Sequence, residues 1–181
     1  ITPDNIVADS PTNNYCTLNP LNSSSSPTFS EGNLKADGTT WNARINTTFP
    51  VLPGKWYWEY ECGATSTTNY LFAGATEQPS SMDDSPPGFA GTPGWSITGG
   101  DGKYQRRVNG ADTGGANYLY PVVGSIMTIA VDVDRQCVWF GRDGVWINAK
   151  DGSTSGDSEQ ILAEIQGTGT EWGFENAQIG I

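Results

Sequence analysis

The chain of 181 residues contains no histidine. That absence excludes His-based triads, His metal sites and histidine-driven pH switching. Basic residues are scarce: nine Lys and Arg stand against 20 Asp and Glu, a net charge of -11. So acidic a surface repels a polyanion, which argues against nucleic-acid binding. It also keeps a protein soluble, and an outer surface facing the medium is the sharper reading. The three cysteines, Cys16, Cys62 and Cys137, include no close-spaced pair for a zinc knuckle or a redox motif. Cys62 and Cys137 fall in strand-like stretches and are expected to be buried small hydrophobes. One disulfide stays open on arithmetic alone. There is no signal peptide, no starting Met and no apolar run of membrane-crossing length. The ends at Ile1-Thr2-Pro3 and Ile181 suggest a segment of a longer or processed polypeptide. No amphipathic helical run exceeds about two turns. The best helical candidate, 158–165, has weak periodicity.

What is present points to strands. The 23 Gly and 11 Pro are scattered rather than blocked together, as many short strands separated by turns require. Seven Trp, seven Tyr and six Phe supply one domain with a core and exclude a disordered chain. The rest is organised around 130–148, AVDVDRQCVWFGRDGVWIN. Ile129, Val131 and Val133 alternate with Ala130, Asp132 and Asp134. Val138 and Phe140 alternate with Cys137, Trp139 and Gly141. A period of two marks strands. Asp134-Arg135-Gln136 supplies one turn and Asp143-Gly144 the next, Asp-Gly favouring a hairpin because both residues tolerate positive φ. A β-meander at the centre of an antiparallel protein is predicted.

Residues 1–30 are polar, with a Ser run at 23–26. They read as an N-terminal arm packing on a sandwich of 31–181. Asn19-Pro20-Leu21 reads as a turn or an extended segment. A short strand is expected at 33–35, ending at Asp37-Gly38, and a longer one at 41–49. KWYWEYEC, 55–62, is the strongest strand. Trp56, Trp58, Tyr60 and Cys62 take the core face, with Tyr57, Glu59 and Glu61 opposite. A strand at 69–76 follows, and its Gly74 suggests a bulge or a close backbone approach. Residues 77–94 lack periodicity, and a loop of that length is either functional or a surface insertion. Strands at 95–97 and 103–108 flank Asp101-Gly102. Asn109-Gly110 marks another turn, and 111–120 is a second irregular loop. The meander strands are 126–133, 137–140 and 144–147. Residues 161–165 read as a strand or one helical turn, and 171–176 as a final strand. Roughly a dozen short strands, with turns about every 8–12 residues, predict an all-β fold, a two-sheet antiparallel β-sandwich. No solenoid or propeller repeat is present.

The carboxylates are the first candidates for chemistry. Glu59 and Glu61 share a strand face about 7 Å apart. Laminarinase-type glycoside hydrolases carry three alternating carboxylates on one strand, but Gly63 and Ala64 follow here. The spacing also exceeds that of a retaining pair. A solvated strand face is the better reading, and no catalytic residue is assigned. Asp132 and Asp134 beside a turn, with Asp101 and Asp151, lack EF-hand spacing and read as turn caps. No metal and no cofactor is implied. The sequons at Asn22 and Asn46 are expected by chance in a chain so rich in Asn, Ser and Thr. Aromatics near the irregular loops are the remaining clue. Trp95, Tyr104, Tyr118 and Tyr120 either stack on sugar faces or finish the core. Arg106-Arg107 is the only adjacent basic pair, and Asp83 and Asp84 lie in 77–94. These eight residues form the candidate ligand-binding set.

Three stretches resemble the SPRY family. GKWYWEYEC at 54–62 looks like its G-x-x-Y-W-E-V strand, and GWSITGGDGKY at 94–104 is similar to its W-x-x-x-x-x-D-G-K stretch. VGSIMTIAVDVDRQCVWFGRDGVWIN at 123–148 looks like its G-D-x-I-G-V-x-L-D-x-x-x-G-x-x-x-F-x-x-N-G stretch. With NYLFAGAT these cover most of 54–148 in the family's order. The resemblance implies a concanavalin A-like jelly roll of two antiparallel sheets, used for binding rather than catalysis. Gln136 stands where the family usually has a small residue. EWGFENA matches the closing strand only loosely, and the family's variable loops let no ligand residue carry over. SPTNNYCTLNPL at 10–21 is similar to SPRY-like modules in virion proteins of tailed phages, marine and cyanobacterial ones especially. That implies an exposed virion protein, a tail fibre above all, binding host-surface glycan or protein through loops 77–94 and 109–120. A structural virion module, decorating a capsid or assembling a fibre with other virion proteins, ranks second. A glycan-cleaving sandwich enzyme ranks third. Analogy with fibres suggests a homo-oligomer such as a trimer. Neither nucleic acid nor membrane insertion enters these expectations.

Overall fold

The computed structural model describes residues 15–23, 27–38, 45–63, 71–75, 95–100, 103–108, 111–112, 122–147 and 158–168. For the strands between 71 and 112 the description is of the backbone pairing. The chain divides into two units, Ile1–Pro50 with Pro79–Asp84, and Val51–Gln78 with Ser85–Ile181.

Among the described residues the first unit holds two short antiparallel pairs. β1 (Leu18–Ser23) pairs with β4 (Ile45–Thr47), matching Leu18 to Thr47 and Ser23 to Ile45 with an irregularity between. The irregularity sits at Asn19-Pro20-Leu21, where Pro20 has no N–H to give a ladder. The Leu21 N–H instead donates to Asn19 Oδ1 at 3.0 Å, and the Ser23 hydroxyl to the Pro20 carbonyl at 3.0 Å. β2 (Thr28–Ser30) and β3 (Lys35–Asp37) form a hairpin. Its turn runs through Glu31, Gly32 and Asn33, with φ of 53°, 64° and 64°. The strand expected at 33–35 therefore begins only at Lys35, because Asn33 takes the left-handed conformation that closes the turn. Of the strand expected at 41–49, residues 45–49 are described: 45–47 form β4 and 48–49 bend away from it.

Among the described residues the second unit carries two four-stranded antiparallel sheets and one helix. In one sheet β6 (Leu71–Ala75), β7 (Trp95–Gly100), β8 (Lys103–Val108) and β9 (Ala111–Asp112) follow in order. The turn signals at Asp101-Gly102 and Asn109-Gly110 fall between its last three strands. Gly74 pairs with Ser96 in unbroken register, so the strand carries no bulge there.

The other sheet has the order β12-β11-β10-β5. β5 (Lys55–Glu61) lies beside β10 (Ile126–Asp132), then β11 (Cys137–Arg142) and β12 (Val145–Trp146). This is the predicted meander with the aromatic strand added to its open side. Asp143-Gly144 closes β11 and β12 with φ of 51° and 80°, the positive pair a tight hairpin needs. Asp143 also locks the turn onto β10: its N–H donates to the Ile126 carbonyl at 2.8 Å, and its Oδ1 accepts from the Ile126 N–H at 2.9 Å.

Both faces of β10 and β11 are buried. Met127, Ile129, Val131, Val138 and Phe140 occupy one face. Each fully buried aliphatic or Phe side chain there contributes about 1.5–3 kcal/mol. Trp56, Trp58 and Tyr60 extend that face on β5 but are half-buried, and Cys62 beyond them is fully buried. The opposite face carries Ala130, Cys137, Trp139 and Trp146, which cluster with Ile161 of α1 (Ser158–Gln166). The weakly periodic 158–165 is thus a helix, extended by one residue. Its N-terminal Ser158 accepts the Trp146 N–H at 3.0 Å. Among the described residues no helix is long and apolar enough to cross a membrane.

Candidate functional site

The register of the β5 sheet builds three rows on its helix-facing side. Lys55, Asp132 and Cys137 form one, Tyr57, Ala130 and Trp139 the next, and Glu59, Thr128 and Gly141 the third. Small residues in the rows leave room for large ones. A Cβ on Gly141 would lie 2.5 Å from Thr128 Oγ1 and 3.3 Å from Cε3 of Trp146, so the bare backbone is what lets that indole lie across the strand.

α1 covers part of these rows. Ile161 seals the centre, and the Trp139 indole N–H donates to Glu164 Oε1 at 2.8 Å in the interior. The helix C-terminus is held by two cations. Lys55 Nζ donates to the carbonyls of Ile165, Gln166 and Gly167 at 3.3, 3.0 and 3.2 Å. The Arg135 guanidinium donates to the carbonyls of Glu164 and Ile165 at 3.0 and 2.9 Å. These carbonyls stand at the helix end, where among the described residues only that of Glu164 also takes a backbone N–H, from Gly167 at 3.1 Å, and they carry the negative end of the helix dipole. Arg135 also bonds Asp132 Oδ2 through Nε at 2.6 Å and lies 4.8 Å from the centroid of the Trp139 ring. Burial raises the affinity of Asp132 for its proton. The hydrogen bonds from the Arg135 backbone and side chain, with the charges of Arg135 and Lys55, outweigh that and hold the carboxyl below its ordinary range.

Beside α1 the same face opens into a cleft of about 380 Å³, lined by Lys55, Tyr57, Trp139, Trp146, Leu162 and Ile165, among others. A volume of this order suits a small ligand or one side chain of a partner. Tyr57 is 56% exposed and meets Trp146 edge to face, with centroids 6.3 Å apart and planes at 62°. Its hydroxyl donates to Glu59 Oε1. Desolvation, then the hydrogen bond to Glu59 and that carboxylate's charge, push the phenol up to about 12. It therefore stays a neutral donor at any physiological pH. The arrangement can grip an apolar or flat group between aromatic walls, with the Glu59 carboxylate bonded to the hydroxyl of one of them. Among the described residues no group of three or more His, Cys, Asp or Glu is placed to hold a metal ion.

The candidate set fares unevenly. Asp83, Asp84, Tyr118 and Tyr120 lie outside the described residues, as do most of the two loops. Trp95 opens β7 opposite Ala75 and Val108. Tyr104, Arg106 and Arg107 stand within β8 and pair with Gly99, Ile97 and Ser96. They are ladder positions, in the strands expected at 95–97 and 103–108. The cleft was missed in the sequence because its residues come from five elements, β5, β10, β11, β12 and α1. One local signal existed: Trp139 alternates against Val138 and Phe140, so both faces of β11 are apolar and a second layer must cover the tryptophan side. No family model and no curated protein matches this chain.

Proposed function

We propose that the chain is a non-enzymatic recognition module with a SPRY-like jelly-roll sandwich, displayed on a phage particle as part of a tail fibre. It binds host-surface glycan or protein through loops 77–94 and 109–120. The observation that carries the reading is the β5–β10–β11–β12 sheet. Its strands are the stretches that resemble the family, in antiparallel register, and its two central strands are buried on both faces. α1 covers one face. The other, with Met127, Ile129, Val131, Val138 and Phe140, requires a second layer, which in this reading is the β6–β9 sheet.

The test is binding of the purified, labelled chain to intact candidate host cells and to a glycan array, beside a Tyr118→Ala/Tyr120→Ala variant. Saturable binding lost in the variant is the expected result. Tyr15, Leu21 and Leu34 are exposed in the first unit, Leu21 at 98%, and favour a second reading as a structural virion module docked on other virion proteins. A well-folded sample that ignores cells and glycans but self-associates, or docks on virion proteins, replaces the first reading with the second. Release of reducing ends from polysaccharide, lost in Glu59→Gln/Glu61→Gln, would replace both with a hydrolase.

A further inference from the structure

The cleft beside α1 has a chemistry that does not depend on the loops. Tyr57 and Trp146 form an aromatic corner, and Leu162 and Ile165 add an apolar wall. Glu59 and Glu61 stand exposed on the Tyr57 face of β5. The charges at the inner end are already engaged. All three Lys55 ammonium protons have carbonyl acceptors, and Asp132 is held by Arg135. What remains on offer beside the aromatic corner is ring face and the Glu59 carboxylate, whose Oε1 takes the Tyr57 hydroxyl, inside a chain of net charge -11. That combination attracts a cation through ring quadrupole, local charge and long-range field together. The same sheet face already holds one cation this way, the Arg135 guanidinium over the Trp139 ring.

We propose that this cleft binds an alkylammonium group, the side chain of a lysine presented by a basic segment of a partner. The methylenes lie along Leu162, Ile165 and Tyr57. The ammonium rests against the Tyr57 ring, within reach of the Glu59 carboxylate that takes the Tyr57 hydroxyl. A neutral apolar group of equal length gains the first contact and not the second.

The test is an NMR titration of the full chain with acetyl-Gly-Lys-Gly-amide, against the same peptide carrying norleucine in place of lysine, at constant low ionic strength. The lysine peptide is expected to shift the amides of Tyr57, Trp146 and Leu162, and to bind at least about fivefold more tightly than the norleucine peptide. Tyr57→Leu, which keeps apolar bulk and removes the ring, and Glu59→Gln should each lose most of that factor. Salt at about 0.5 M should weaken the lysine peptide and spare the other. The Trp139 indole N–H resonance, bonded to Glu164, reports in every variant that the face beneath α1 is intact. Equal binding of the two peptides overturns the proposal, leaving an apolar cleft without charge selection. Larger shifts of these amides by methyl glucoside assign the site to sugar and overturn it as well. So does the absence of any shift with either peptide.

Discussion

At the scale of single residues, the turns of the meander set backbone against side chain. Gln136 sits at φ 52°, a conformation that costs a residue with a Cβ about 1–2 kcal/mol. Gln136→Gly is expected to stabilise the protein by about 1 kcal/mol, seen as a higher urea midpoint at unchanged slope. Gly144→Ala is the mirror experiment. Its φ is 80° and the added Cβ meets nothing within 4 Å, so the loss, about 1 kcal/mol, is one of backbone strain alone. Gly141→Ala fails for a different reason: the Cβ would also lie 2.9 Å from the Val145 carbonyl, and overpacking of this kind costs about 1–3 kcal/mol. Asp143-Gly144 was legible in the sequence because both residues accept positive φ. Gln136 was not, because nothing in a glutamine announces that conformation and only the hairpin around it imposes one.

At the scale of elements, α1 is joined to the sheet by charge as much as by packing. Arg135→Gln removes the bonds to two helix carbonyls and to Asp132, and should destabilise the protein by about 2–3 kcal/mol at neutral pH. Its pH dependence gives a second test. The Asp132 carboxyl is held below its ordinary value of 3.8. Its contribution is therefore full above that value and lost as pH falls through the lower folded value. Wild type should shed this increment in acid, and Arg135→Gln should lose less over the same range. Melts of the two proteins that stay parallel from about pH 2 to pH 5 would remove Asp132 from the clamp. The strands were readable because period-two alternation survives in 55–61 and 126–140 whatever lies above them. The helix was half-readable: nine residues with two buried side chains, Ile161 and Glu164, carry little periodicity. Its clamp was not readable at all, since Lys55 and Ile165 meet only through tertiary structure.

At the scale of the whole molecule, the excess of carboxylates is a uniform opposing field, while the ion pairs around Asp132 are partly buried and screened less. Raising NaCl from about 10 to about 200 mM should raise Tm by a few degrees, as self-repulsion is screened faster than the clamp. A falling Tm would mean that specific pairs dominate. The cysteines offer another way to watch the fold. All three are thiols: Cys16 is exposed, Cys62 and Cys137 are buried, and burial pushes the Cys62 thiol up. Cys62 belongs to the face that carries Trp58, Cys137 to the cluster under the helix. An alkylating reagent should therefore add one mass increment to the native chain at once. The second and third arrive only as one layer or the other lifts. The order in which those adducts appear dates the opening of each face, so the chain keeps its own clock of partial unfolding without any introduced label.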